Sequence, residues 1–196
     1  LREAAETTNV MEKIVLNDIM QKKKKTLSWF DKIKKDPKER AQLDRFAYRL
    51  EPMLITAGRW KDIAIMYPDP IAELNKREEF AKAMEKTMHG RMGNYDPFAQ
   101  GVGRLYAAYL SAGRTADAKK VALAALKKQD SANIKRELVL YAIDAGQARK
   151  DQYEWTKGDQ KLTDALKEAL DAKSGKGKDS KDSKAKSQSQ SSPKSK

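Results

Sequence analysis

The sequence has no cysteine and only one histidine among its 196 residues. Without cysteine there are no disulfides, no thiolate nucleophile and no cysteine-based zinc site. With His89 as the single imidazole, a multi-histidine metal site is excluded as well. Because His89 directly precedes Gly90 at the end of a predicted helix, we interpret it as a helix-terminal side chain. We therefore expect no catalytic, cofactor-binding or metal-binding residues, and a protein that is not an enzyme.

Long apolar runs are also missing. None approaches the roughly 18 residues that a membrane-spanning helix needs, so no membrane span is expected. The first residues mix charged and apolar side chains, which is unlike a signal peptide, so this chain offers no targeting segment and its compartment stays open. The sequence begins at Leu1 rather than Met, and we expect it to be a fragment of a larger protein.

Aromatic residues make up only 7% of the chain, and β-branched residues are sparse, whereas Ala, Leu, Lys and Glu are abundant. These preferences predict an all-α fold. An apolar stripe from Leu43 to Leu54 predicts a helix that Pro52 kinks or splits, and Gly58 ends it. A short helix then runs to Tyr67, before Pro68. The four glycines between Gly90 and Gly103 predict a long connecting loop.

The C-terminal residues differ from the rest in composition. From Lys173 to Lys196 there is no aromatic or large aliphatic side chain, and eight lysines with two aspartates account for +6 of the formal net charge of +13. Such a segment cannot offset its ordering entropy by burial, so we predict a disordered tail. We divide the chain into an N-terminal helical segment (residues 1–37), a helical-hairpin domain (residues 38–172) and this tail (residues 173–196).

The segment from Arg104 to Ser131 resembles a tetratricopeptide repeat, in which two helices pack as a hairpin. Leu105 and Tyr109 match inward-facing positions of the first helix, Gly113 matches the turn, and Ala118 and Ala125 match small residues of the second helix. The segment departs from the family at three positions, namely Tyr106, Ala122 and Asp130.

Two further turns repeat the junction of Ala, Gly and a polar residue, around Gly58 and Gly146. The spacing from Gly113 to Gly146 is close to the family period, but the spacing from Gly58 to Gly113 is not a multiple of it. The resemblance implies helical hairpins stacked as an irregular α-solenoid, with a groove that binds a peptide or partner protein. A non-catalytic interaction module, such as a scaffold or adaptor, is the first functional hypothesis.

Three residues are candidates for contact with such a partner. Arg104 is the prominent charge on the first helix of the repeat, and Trp60 and Trp155 have polar neighbours, which favours exposed aromatic anchors. The acidic residues Asp69, Glu73, Glu78 and Glu79 are interpreted as part of a solvated face.

Two alternatives stay open at this point. A nucleic-acid-associated protein would use the basic tail from Lys173 to Lys196 for weak, non-specific contact with phosphates. The chain could also be the C-terminal appendage of a larger enzyme or regulator. Neither the oligomeric state nor the identity of a partner follows from the sequence.

Overall fold

The computed structural model describes residues 21–34, 36, 40–88, 95–129 and 131–174. Within these ranges all regular structure is helical and there is no strand, as predicted. His89, residues 1–20 of the predicted N-terminal segment and residues 175–196 of the predicted tail lie outside the described residues, whereas Lys173, the first residue of that tail, is the last residue of the final described helix. None of the described helices is both long and apolar enough to cross a membrane. The elements are α1 (residues 21–33), α2 (Arg40–Thr56), α3 (Trp60–Met66), α4 (Pro70–Met88), α5 (Pro97–Ser111), α6 (Thr115–Lys128), α7 (Ala132–Asp144), a 3₁₀ helix (Lys150–Trp155) and α8 (Gln160–Lys173).

Pro52 lies inside α2, which continues to Thr56, so this helix is not split, and it ends just before Gly58 as predicted. One boundary differs from the predicted one. The predicted loop up to Gly103 is wrong in its second half, since α5 already begins at Pro97. The Asp96 side chain accepts a hydrogen bond from Ala99 N, and proline suits the first helical turn because it has no N–H to satisfy. Gly101 and Gly103 are therefore helical residues.

Helix α5 is the centre of the fold and packs against α3, α4, α6 and α7. Almost every residue from Phe98 to Leu110 is buried, which is typical of a helix surrounded by others. A Cβ atom at Gly103 would lie 2.5 Å from Tyr141 Cδ2 and 2.6 Å from the Glu137 carbonyl oxygen of α7. Glycine at this position thus permits a close approach of α5 and α7.

Three helices end in the same turn. At Gly113, φ is 74°, Arg114 N donates to Tyr109 O at 2.8 Å, and Gly113 N donates to Leu110 O at 3.0 Å. These two bonds define a Schellman motif, in which a glycine with positive φ closes the helix. The same pair of bonds closes α2 at Gly58 and α7 at Gly146. The repeated Ala-Gly-polar junction of the sequence therefore corresponds to one repeated backbone geometry.

The apolar residues of α1 to α7 form one continuous core, which includes Phe30 of α1. Leu105, Tyr109, Ala118 and Ala125 of the predicted repeat are fully buried in it. A smaller cluster joins α7, α8 and the 3₁₀ helix. Tyr106, which departs from the repeat pattern, lies at this junction: its hydroxyl accepts a hydrogen bond from buried Gln152, and its ring contacts Trp155 edge-on.

A cluster of four charged residues attaches α1 to the start of α3. Lys34 Nζ lies 2.8 Å from Asp31 and 3.1 Å from Asp62, while Arg59 bonds both carboxylates. Lys34 and Arg59 also contact the ring of Phe30, at 5.4 and 5.5 Å from its centroid. The charged groups thus enclose a core side chain of α1.

Candidate functional site

A groove of about 620 Å³ lies between α2, α4 and the first half of α5, and it is open to solvent. The connection between α3 and α4 forms one end of it, and Tyr95 and Pro97 form another side. Its lining combines charged residues on the floor with aromatic residues at the rim.

Two Asp-Pro pairs determine where the helices α4 and α5 beside the groove begin. Asp69 Oδ1 accepts hydrogen bonds from Ile71 N and Ala72 N, at 3.0 and 3.1 Å, and Pro70 begins α4. Asp96 and Pro97 do the same for α5. An aspartate that caps the first N–H groups, followed by a proline at the first helical position, is a strong start signal.

Side chains of α5 and of the residue before α6 donate hydrogen bonds to the backbone at the end of α3 and in the connection between α3 and α4. Tyr109 donates its hydroxyl proton to Tyr67 O at 2.6 Å, and Arg114 donates to Pro68 O at 2.7 Å and to Ala64 O at 3.2 Å. The Arg114 guanidinium also lies 4.6 Å from the centroid of the Tyr109 ring. Residues of the predicted repeat therefore fix the backbone that closes the groove.

Arg77 of α4 forms the centre of the groove floor. Its guanidinium bonds Glu51 of α2 with two nitrogens, at 2.6 and 3.1 Å, and its Nε bonds Glu73 at 3.0 Å. It also donates to the carbonyl oxygen of Gly101 at 3.2 Å. One side chain thus joins α2, α4 and α5.

Glycine at position 101 makes room for this guanidinium. A Cβ atom there would lie 3.0 Å from Arg77 Cδ. Tyr67 completes the arrangement: its hydroxyl donates to Glu51 at 2.9 Å, and Arg77 stacks 5.1 Å from the centroid of its ring.

The protonation states of the floor follow from burial and pairing. Burial alone raises the pKa of Glu51, but its bonds from Arg77 and Tyr67 bring that pKa below the ordinary value. Burial lowers the pKa of Arg77, and the Glu51 carboxylate more than reverses this. Burial and the charge of Glu51 raise the pKa of Tyr67. At neutral pH the floor therefore contains a charged pair with a neutral tyrosine that donates to it.

The pKa of Glu73 is shifted in the opposite direction to that of Glu51. Burial raises its pKa, and the neighbouring Arg77 only partly compensates. It was interpreted above as part of a solvated face, but its side chain is only 13% exposed. Glu78, from the same predicted face, bonds Lys82 and Lys128 at the surface.

Arg104 lies at the edge of the floor. It donates from Nε to Tyr141 OH at 3.1 Å and from Nη2 to Gln100 at 3.3 Å. Its Nη1 lies 3.8 Å from Glu51 Oε1, longer than a hydrogen bond. Of the three residues predicted to contact a partner, Arg104 is the one that lines the groove.

The prediction for Trp60 is wrong. Its side chain is only 5% exposed and meets the ring of Tyr141 edge-on at 6.0 Å, so it is part of the core. Trp155 is half-buried and packs against Tyr106. Polar neighbours in sequence point to other faces of a helix, and they therefore gave no information on the exposure of Trp60.

The exposed aromatic residues of the groove are Phe80 and Tyr95. Phe80 is 61% exposed and Tyr95 48% exposed, and both line the groove. Sequence reasoning did not select them. Phe80 follows Glu78 and Glu79 in α4, but nothing in the local sequence shows that its side chain is exposed.

The described residues contain no group of three or more metal-ligating side chains. The carboxylates of the floor, Glu51 and Glu73, accept hydrogen bonds from Arg77 and Tyr67. Comparisons with protein-family models, with curated proteins and with solved structures find no match to this chain.

Proposed function

We propose that this protein is a tetratricopeptide-like interaction module that binds an extended segment of a partner protein in the groove. The observation that carries the proposal is the pair of exposed aromatic side chains, Phe80 and Tyr95, at the rim of a groove whose floor is fixed by buried hydrogen bonds. Large aromatic residues contribute much of the energy at protein interfaces. A fixed floor lowers the entropy that binding costs.

Two features support the repeat character. The same Schellman turn follows α2, α5 and α7, and the small residues Ala118 and Ala125 of the resembling segment are fully buried. Stacked helical hairpins present grooves of this kind to peptides or partner helices.

The polar groups of the groove indicate what the partner segment carries. Lys76 of α4 is exposed and lines the groove together with Arg104, whose Nη1 lies 3.8 Å from Glu51 Oε1, longer than a hydrogen bond. Carboxylates or backbone carbonyls of a bound segment would serve as acceptors for both. An apolar side chain of the segment would cover Phe80 and Tyr95.

A displayed library of random peptides, selected on the full chain, tests this proposal. The matched variants are Phe80→Ser and Tyr95→Ser, with Leu123→Ser as the control. Leu123 is an equally exposed apolar residue, at 56%, but lies on α6 and does not line the groove. Each substitution should leave the melting temperature close to that of the wild type, because the side chains are exposed.

Selected peptides should bind the two groove variants at least about tenfold more weakly, a loss of about 1.4 kcal/mol, and the control as tightly as the wild type. A set of peptides that binds all three variants equally would show that the groove is not the binding site. Failure to select any peptide with an apolar and an acidic residue would contradict the proposed chemistry of the partner.

A further inference from the structure

A second surface, outside the groove, combines exposed cations with aromatic rings. One face of α1 carries five neighbouring residues, because each lies three or four positions from another: Lys24, Lys25, Ser28, Trp29 and Lys32. They line a shallow depression in the surface. Trp29 meets Phe46 of α2 edge-on, with ring centroids 5.7 Å apart, and Phe46 is 42% exposed.

Among the described residues, no carboxylate forms an ion pair with the lysines of this surface. These lysines, Lys24, Lys25 and Lys32, are all exposed. Asp31, the acidic residue among them in sequence, is instead paired with Lys34 and Arg59 near α3. The surface around Trp29 and Phe46 therefore carries positive charge.

We infer that this surface, consisting of Lys24, Lys25, Trp29, Lys32 and Phe46, binds single-stranded nucleic acid. The charge of the surface is complementary to a chain of phosphates. A polyanion held by charge alone would need no aromatic ring, whereas unpaired bases can stack on the exposed ring of Phe46, which Trp29 contacts edge-on. This surface shares no residue with the groove and does not require the basic tail.

The experiment compares variants of the full chain in fluorescence anisotropy with a single-stranded oligothymidylate of about twelve nucleotides. Phe46→Ala removes the exposed ring, and Phe46→Tyr keeps one. The triple variant Lys24→Gln, Lys25→Gln, Lys32→Gln removes charge from the surface. A charge-matched control, Lys119→Gln, Lys127→Gln, Lys167→Gln, removes the same charge from exposed positions of α6 and α8. Heparin serves as a polyanion without bases, and anionic phospholipid vesicles test a membrane surface as the alternative.

Phe46→Ala should weaken oligonucleotide binding about tenfold, leave heparin binding unchanged, and be rescued by Phe46→Tyr. The surface triple variant should lose about tenfold for both ligands, and the control triple variant less than about threefold. The proposal is overturned if Phe46→Ala binds the oligonucleotide like the wild type, or if the two triple variants are equally weakened. Binding of vesicles without binding of the oligonucleotide would overturn it too. Circular dichroism melting of Phe46→Ala, Phe46→Tyr and both triple variants ensures that a loss does not come from unfolding.

Discussion

At the scale of single residues, Arg77 is the side chain on which the groove depends most. It bonds Glu51, Glu73 and the Gly101 carbonyl, and its own side chain is 13% exposed. A buried charge pair contributes little net stability compared with apolar residues of the same size, but removing one partner leaves the other charge buried and unpaired.

Replacement of Arg77 by methionine should therefore lower the free energy of unfolding by about 3–5 kcal/mol, because Glu51 would lose its ion pair inside the protein. Urea denaturation followed by circular dichroism measures this change. The neighbouring Lys76→Met is the control, since Lys76 is exposed, and it should change stability by less than about 0.5 kcal/mol. Equal effects of the two substitutions would contradict the role of Arg77 in the floor.

Only part of this cluster could be predicted from the sequence. The four-residue spacing of Glu73 and Arg77 indicates a pair on one helix face. Glu51 lies 26 residues from Arg77, and its contact with Arg77 depends on how α2 and α4 pack. Nothing in the local sequence distinguishes Glu51 from a surface glutamate, and for the same reason the burial of Trp60 was missed.

At the scale of helices, local signals determined most of the boundaries. Pro68 and Pro70 separate α3 from α4, and Gly58, Gly113 and Gly146 end their helices as the sequence predicts. The start of α5 was placed too late because Gly101 and Gly103 are poor helix formers in isolation. Their helical conformation depends on close neighbours in α4 and α7, which are tertiary contacts. The 3₁₀ helix after Gly146 was not predicted either, since its anchor is the contact of Gln152 with Tyr106.

Gly103→Ala should reverse the usual effect of alanine in a helix. Replacing glycine by alanine in a helix interior normally raises the free energy of unfolding by about 1 kcal/mol. Here the new methyl group would collide with Tyr141 and with backbone atoms of Glu137, so we expect a net loss of about 1–3 kcal/mol of stability. Chemical denaturation of the full chain measures the sign directly.

Ser111→Ala provides the control in the same helix. The Ser111 hydroxyl oxygen is buried and has no hydrogen-bond partner among the described residues. Its removal should therefore raise stability by about 0.5–1 kcal/mol. A stabilising effect of Gly103→Ala as well would mean that α5 and α7 are farther apart than described.

At the scale of the whole molecule, the described part of α1 is joined to the other helices through both its core residues and its charges. Phe30 belongs to the common core. The Asp31 carboxylate accepts hydrogen bonds from Arg59, which lies in the connection between α2 and α3. Its hydrogen bonds to Arg59 and Lys34 lower the pKa of Asp31 from 3.8 to about 2.

This shift predicts a dependence of stability on pH. A carboxylate whose pKa is depressed in the folded state stabilises that state above its unfolded pKa, and the contribution disappears as pH falls towards its folded pKa. The contribution of Asp31 should thus be complete above about pH 4 and be lost down to about pH 2. Asp31→Asn should be less stable than the wild type near neutral pH and show a smaller decrease in melting temperature over this acid range.

Thermal melting followed by circular dichroism at several pH values provides the measurement. Asp171→Asn removes the same charge from an exposed position of α8 and should keep the acid dependence of the wild type. If Asp31→Asn and the wild type lose the same number of degrees between these pH values, the bonds from Arg59 and Lys34 do not persist in solution.

The central position of α5 has a consequence for how this domain can evolve. Regular helical arrays change length by duplication or loss of a hairpin, because each unit contacts only the next one. In this chain α5 contacts four other helices, and Arg77 connects α2, α4 and α5 through buried charges. An inserted or deleted hairpin between Glu51 and Arg104 would separate these partners. Variation in length is therefore restricted to the two ends, and diversification of the groove has to come from point substitutions at its rim.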